Sequence, residues 1–241
     1  MALSSLLNPN LFLVPSSLSP LHSPSTRSLA ITCGPRDNRG PLQRGRTLST
    51  EAILAVQALK RAALSGDGAV PSPAAAAAAL GRLLKPDLLA ALAELQRQGR
   101  WRLALVVFAA ARRETWYTNP DFSLYAEMAS AMARGAAAAE EIDALVAELL
   151  EEKEGSGGFS PSDDVWKLTR LVRVLIAAGR GEAVRDLYKR MKRGGCVGDE
   201  YLFRVLIRGL RRLGEGEAAG EVERDFDEWY EGGIITETLP V

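Results

Sequence analysis

A five-residue phrase recurs in this chain at a fixed step. Gly179-Arg180-Gly181-Glu182-Ala183 returns as Gly214-Glu215-Gly216-Glu217-Ala218, 35 residues on, and Leu171, Val172 and Leu175 return at the same step as Leu206, Ile207 and Leu210. Upstream, Gly99 and Gly135 lie 36 residues apart, and Pro86-Asp87 and Pro120-Asp121 lie 34 apart. The longer step of 44 from Gly135 to Gly179 is accounted for by the loop-like stretch from Glu154 to Pro161. A unit of this size is one supersecondary piece that cannot bury its own apolar face. Such units have to stack on one another into a solenoid.

The units read as helices. From Leu48 onward no stretch alternates apolar and polar residues as a half-buried strand would. Breaks at Gly66-Asp67-Gly68, Lys85-Pro86-Asp87, Gln98-Gly99, Asn119-Pro120-Asp121, Gly135, Gly155 to Pro161, Gly179, Gly194-Gly195, Gly214 and Gly232-Gly233 separate about ten segments of helical length. The expected fold is all-α, a right-handed α-solenoid of about five helix-turn-helix repeats. They run roughly over 50–84, 85–120, 121–163, 164–199 and 200–234, with a short tail at 235–241.

The first 36 residues are of another kind. They hold no Asp or Glu, are rich in Ser, Pro and Leu, and carry only Arg27 and Arg36 as cations. Pro9, Pro15, Pro20 and Pro24 cut the apolar positions into pieces, so no compact secretory core forms. An acid-free, Ser-rich leader is the composition of an organelle transit peptide. Sparse arginine points to a plastid rather than a mitochondrion, and Ile31-Thr32-Cys33 resembles a plastid cleavage site. The expected order is therefore a leader over 1–36, a linker over 37–49, and the solenoid.

Several function classes drop out. The one histidine, His22, lies in the leader, so the mature chain has no imidazole for nucleophilic catalysis or metal ligation. Two cysteines, Cys33 and Cys196, make neither a disulfide framework nor a four-ligand zinc site. No apolar run approaches the ~20 residues of a membrane span, and no Gly-rich phosphate loop is present. No catalytic residue, cofactor or metal is expected.

Charge is placed unevenly. The total is balanced at 30 basic and 30 acidic residues, yet Val165 to Leu213 holds 13 Lys/Arg against 4 Asp/Glu, and Asp121 to Ser160 holds 2 against 9. In the segment from Glu200, Phe203, Leu206, Ile207, Leu210 and Leu213 form a buried stripe by helical spacing. That spacing leaves Tyr201, Arg204, Arg208, Arg211 and Arg212 on the other side. The preceding unit repeats the theme, with Leu168, Leu171, Val172 and Leu175 inward and Trp166, Thr169 and Arg173 on another face. Guanidinium forks hold phosphates and aromatic rings stack on unpaired bases. On one inner wall of a solenoid, these residues would make a groove for single-stranded RNA.

The unit from Val165 to Asp199 resembles the pentatricopeptide repeat family. It carries Leu171-Val172, Leu175, Gly179-Arg180, Glu182-Ala183, Leu187-Tyr188, Met191-Lys192, Gly195 and a terminal Asp199. Gly99-Arg100, Phe108 and Asp121 fit a second unit, and Tyr125, Met128 and Met132 a third. The resemblance, strongest to short P-class members of plant organelles, implies a single-stranded RNA-binding protein that catalyses nothing. Its expected work is RNA maturation in the chloroplast stroma, in group II intron splicing needed for thylakoid assembly. In the family, one base is read by a residue early in the first helix and the last residue of the unit. Those places fall on Thr169 and Asp199, a pair that favours guanine. In the next unit they fall on Arg204 and near Ile234, which match no such pair. The resemblance thus implies short-motif recognition of purine-rich RNA containing guanine, with other splicing factors or a second copy as possible partners. The competing reading is a tetratricopeptide-like scaffold whose basic face takes an acidic peptide.

Overall fold

The computed structural model describes residues 48–65, 70–196 and 198–237, without side-chain detail at 65 and beyond 230. The expected leader over 1–36, most of the linker over 37–49, the end of the tail and the side chain of Ile234 lie outside the described residues. Ten helices follow in order: α1 (Thr50–Ser65), α2 (Pro73–Leu80), α3 (Lys85–Arg97), α4 (Trp101–Ala111), α5 (Phe122–Arg134), α6 (Ala139–Gly155), α7 (Val165–Ala177), α8 (Gly181–Arg193), α9 (Glu200–Arg212) and α10 (Gly216–Glu237). Among the described residues there is no strand. Each odd-numbered helix packs on the even-numbered one that follows, and α1, α3, α5 and α7 each pack on the next odd helix. The odd helices therefore form one continuous layer with the even helices behind them. This is an all-α solenoid of five helix pairs among the described residues.

Local chemistry starts and stops each pair. Asp121, Asp164 and Asp199 cap α5, α7 and α9, their carboxylates accepting from the amides of Ser123 (2.9 Å), Lys167 (3.1 Å) and Leu202 (2.7 Å). Between the helices of a pair the chain turns through a left-handed residue. Gly99, Gly179 and Gly214 take φ of 68°, 74° and 84°. The next amide in each case, of Arg100, Arg180 or Glu215, donates to a carbonyl five residues back at 2.9 Å. This is the Schellman closure, and only glycine meets it without a Cβ penalty.

The third pair departs from the pattern. Gly135 reads as its turn residue, but the left-handed position is Ala136, at φ 53°. Gly135 has a different task. The Trp101 indole lies against it, Nε1 donating to the Gly135 carbonyl at 3.2 Å, and a Cβ there would sit 2.3 Å from the ring. Close approach of the second pair thus claims the glycine, and an alanine is left to take the strained turn.

The core runs along the whole stack. Leu88, Leu92 and Leu95 of α3, Tyr125, Met128 and Met132 of α5, Leu168, Leu171 and Leu175 of α7, and Leu206 and Leu210 of α9 are all almost fully buried. At Gly209 the missing side chain lets α9 press on Ile176 of α7, whose Cδ1 would be 2.2 Å from an added Cβ. The extra residues between the third and fourth pairs fold inward. Phe159 stacks on Phe122 at 5.8 Å, its carbonyl lies against Gly194, and buried Lys153 pairs with Asp163 at 2.8 Å.

Ion pairs tie the even-helix side from one pair to the next. Arg112, just past α4, reaches Glu148 (2.6 Å) and Glu152 (2.9 Å) of α6, and also donates to the Tyr125 hydroxyl at 3.0 Å. Arg180 pairs with Asp143, Arg190 with Glu154, Arg185 with Glu215, and Lys192 with Asp225. Asp225 also accepts from the Tyr188 hydroxyl at 2.5 Å. Burial, and then that bond, push the phenol well above its usual range.

Candidate nucleic-acid interface

With 3.6 residues per turn, positions i, i+4, i+7 and i+11 return to one face of a helix. On α7 that set is Trp166, Arg170, Arg173 and Ala177, all exposed. On α9 it is Tyr201, Val205, Arg208 and Arg212, on α5 Ser123, Glu127, Ser130 and Arg134, and on α3 Pro86, Ala90, Ala93 and Arg97. Because these helices lie side by side, the four sets form one open face. Two grooves cross it. One, between α7 and α9, is lined by Arg173, Ile176, Val205, Arg208, Gly209 and Arg212. The other spans α3, α5 and α7, with Gln96, Arg97, Glu127, Ser130, Arg134 and Arg170 in its lining.

The cations of this face differ from those behind it. Among the described residues Arg173, Arg208 and Arg212 make no salt bridge, and Arg134 donates to the Ser130 hydroxyl at 2.7 Å. Arg97 is held by Glu94 at 2.5 Å, and Arg170 by Glu127 at 3.1 Å. Hydrogen bonds from Arg97 and Gln98 hold the Glu94 carboxyl down at about 2, so it stays ionised. At the start of the same helices stand two exposed rings, Trp166 at 72% and Tyr201 at 52% exposure. A planar ring left this open at a helix start is free to stack.

The sequence names nine residues for RNA contact, and the structure divides them. Trp166, Arg173, Tyr201, Arg208 and Arg212 share the open face. Thr169 does not, and its expected place is corrected: it is 3% exposed, and its hydroxyl donates to the Val165 carbonyl at 2.7 Å. Its side of α7 is that of Ile176, two turns on, against which Gly209 of α9 presses. Arg204 stands in the equivalent place on α9, which has no following pair among the described residues, and so is exposed, bound to Glu200. Arg211 likewise turns off the face, toward α10, and pairs with Glu223 at 2.5 Å. Asp199 is exposed, but its carboxylate is engaged as the α9 cap.

Four residues of this face escaped the sequence reading: Arg97, Glu127, Arg134 and Arg170. Their signal exists. Arg97 maps onto Arg134 at a step of 37, and Glu127 onto Arg170 at a step of 43, as the neighbouring positions of the same helices do. A search at a fixed step of 35 passes over both. Among the described residues no group of acidic, Cys or His side chains could hold a metal, and no helix is long and apolar enough to cross a membrane.

Stacked helix pairs with a periodic open face of arginines and rings define a helical-repeat protein of the pentatricopeptide type. No family model matches the chain. It is 39% identical over 218 residues to Protein THYLAKOID ASSEMBLY 8, chloroplastic, of Arabidopsis thaliana, covering 86% of this chain and 92% of that one. A pentatricopeptide repeat-containing protein of the same plant is 30% identical over 156 residues, 65% of this chain and 74% of its own. Among solved structures, the crystal structure of THA8 in complex with Zm4 RNA superposes with a TM-score of 0.68 at 47% identity, covering 81% of this chain and all of that one. The chain belongs to the thylakoid assembly 8 family of pentatricopeptide repeat proteins.

Proposed function

We propose that the protein binds single-stranded RNA in the chloroplast along the open face of α3, α5, α7 and α9, and acts through binding alone. Backbone phosphates lie along Arg173, Arg208 and Arg212, with Arg134 and Arg97 extending the track, and unpaired bases stack on Trp166 and Tyr201. One observation carries this reading: the guanidinium groups of Arg173, Arg208 and Arg212 share a groove and lack carboxylate partners among the described residues. The RNA held by the matching THA8 structure and the chloroplastic relative support it. The proposed task is maturation of organelle transcripts in the stroma, group II intron splicing for thylakoid assembly in particular, on purine-rich segments containing guanine. Other splicing factors or a second copy would add affinity to so short a face. A rigid face that traps one single-stranded state biases how an intron folds, and needs no bond chemistry.

The test is the salt dependence of binding to a short single-stranded RNA. Each phosphate neutralised contributes roughly 0.7 to the slope of log K against log salt for a single strand, so Arg173, Arg208 and Arg212 to Ala together should lower the slope by about 2. An unchanged slope, or a synthetic acidic peptide displacing the RNA from the same face at equal concentration, would favour the tetratricopeptide-like scaffold instead.

A further inference from the structure

Two successive steps of the stack end differently on the even-helix side. α8 and α10 run in register at 35 residues, so Gly194 of α8 corresponds to Trp229 of α10. Gly194 is covered: the carbonyl and Cβ of Phe159 lie against it, and the Phe159 ring stacks on Phe122 at 5.8 Å. Five residues between Gly158 and the Asp164 cap supply that aromatic plug, whereas only two separate Cys196 from the Asp199 cap. At this later step a groove of about 320 Å³ opens between α8, α9 and α10. Met191, Cys196, Leu202, Phe203 and Leu206 floor it, and Trp229, 41% exposed, stands at its wall.

The rim of this groove is acidic. Asp225 and Glu228 line it, and from Gly216 to Tyr230 α10 holds six carboxylates against one cation, Arg224. At the places equivalent to Asp225 and Glu228, α8 carries Arg190 and Arg193, so the sign of the wall reverses between the two steps. Lys192 also lines the groove, but it is engaged by Asp225 at 2.8 Å and Glu221 at 3.4 Å. Asp227 and Glu228 are exposed and make no ion pair among the described residues.

We propose that this groove docks a segment of a partner protein that presents an aromatic side chain between arginines or lysines. The ring fills the apolar floor, as Phe159 fills the step before it. The flanking cations meet Glu228 and Asp227, and a guanidinium can lie on the open ring of Trp229. An RNA strand does not suit the place, because carboxylates repel its phosphates. A neutral or acidic apolar segment leaves the rim unanswered, so charge complementarity selects a basic one. The groove draws on Leu202, Phe203 and Leu206 of α9, whereas the open face draws on Tyr201, Val205, Arg208 and Arg212. The two sites lie on different sides of one helix, and the claim does not depend on the RNA reading.

The probe is a fluorescein-labelled synthetic peptide, Gly-Ser-Arg-Arg-Phe-Arg-Arg-Ser-Gly, titrated with the full chain and read by anisotropy. Saturable binding is expected, weakened roughly tenfold when serine replaces the phenylalanine and by a similar factor in Trp229→Ala. Glutamates in place of the arginines should abolish it. Glu228→Lys, an exposed change that spares the core, should weaken it roughly fivefold, and it carries the test if thermal unfolding shows Trp229→Ala to be damaged. Replacing Arg173, Arg208 and Arg212 by Ala should leave peptide binding as it was. No binding up to about 1 mM overturns the proposal, and so does binding that neither groove variant alters. Tighter binding after removal of residues 238–241 would assign the groove to the chain's own tail instead. If Trp229→Ala weakens single-stranded RNA and spares the peptide, the groove belongs to the strand and the proposal fails.

Discussion

The two sides of this molecule use the same residue type in opposite ways. On the even-helix side, Arg112, Arg180, Arg185 and Arg190 each meet a carboxylate from a neighbouring pair and lock one repeat to the next. On the odd-helix side, Arg173, Arg208 and Arg212 meet none among the described residues. A net charge of zero conceals this division, since the acidic residues of α6 and α10 are spent on the far side. Availability of the cations, more than their number, is what separates a binding face from a structural seam.

This contrast can be broken from either side. Arg112→Ala should have the largest effect, because it strips Glu148, Glu152 and the buried Tyr125 of their shared partner. Urea unfolding should show a loss of about 2.5 kcal/mol, a little under the range for a fully buried pair because Glu148 is half exposed, while RNA affinity of the folded protein stays the same. Gly209→Val drives a side chain into Ile176 and should cost about 2 kcal/mol, as overpacked cores do. The double variant with Ile176→Ala should recover most of that in the same measurement. On the open face the pattern reverses. Trp166→Ala should leave stability within about 0.5 kcal/mol, as exposed substitutions do, yet weaken RNA binding by about 1.5 kcal/mol, the loss of one stacked base. The smallest effect is a gain. Ala136→Gly relieves a left-handed alanine and should stabilise the chain by about 0.5–1 kcal/mol in thermal unfolding, without touching affinity.

Much of the fold is legible along the chain because its determinants are local. The aspartates before α5, α7 and α9 and the left-handed glycines between paired helices can be found without knowing what packs where. The open face is only half legible, for a reason that Thr169 and Arg204 make plain. They occupy one place in the repeat, and helical spacing assigns both to the outside. Which of them is covered depends on whether another helix pair follows, which no single helix reveals. Likewise Gly135 looks like a turn residue until Trp101 is seen against it. Arg97 and Arg134 are missed because the connections between the earlier pairs are unequal in length, so a constant step loses the register that the helices themselves keep.

The exposed seam of α9 also limits how this array can grow. Copying its final unit onto its own end would place two guanidinium groups, those of Arg204 and Arg211, beneath a newly docked helix. Lengthening at that end therefore demands small or apolar replacements at both sites first, whereas the interior tolerates a spliced-in loop such as the one carrying Phe159. Growth at that face is restricted by chemistry, while the middle of the array remains editable.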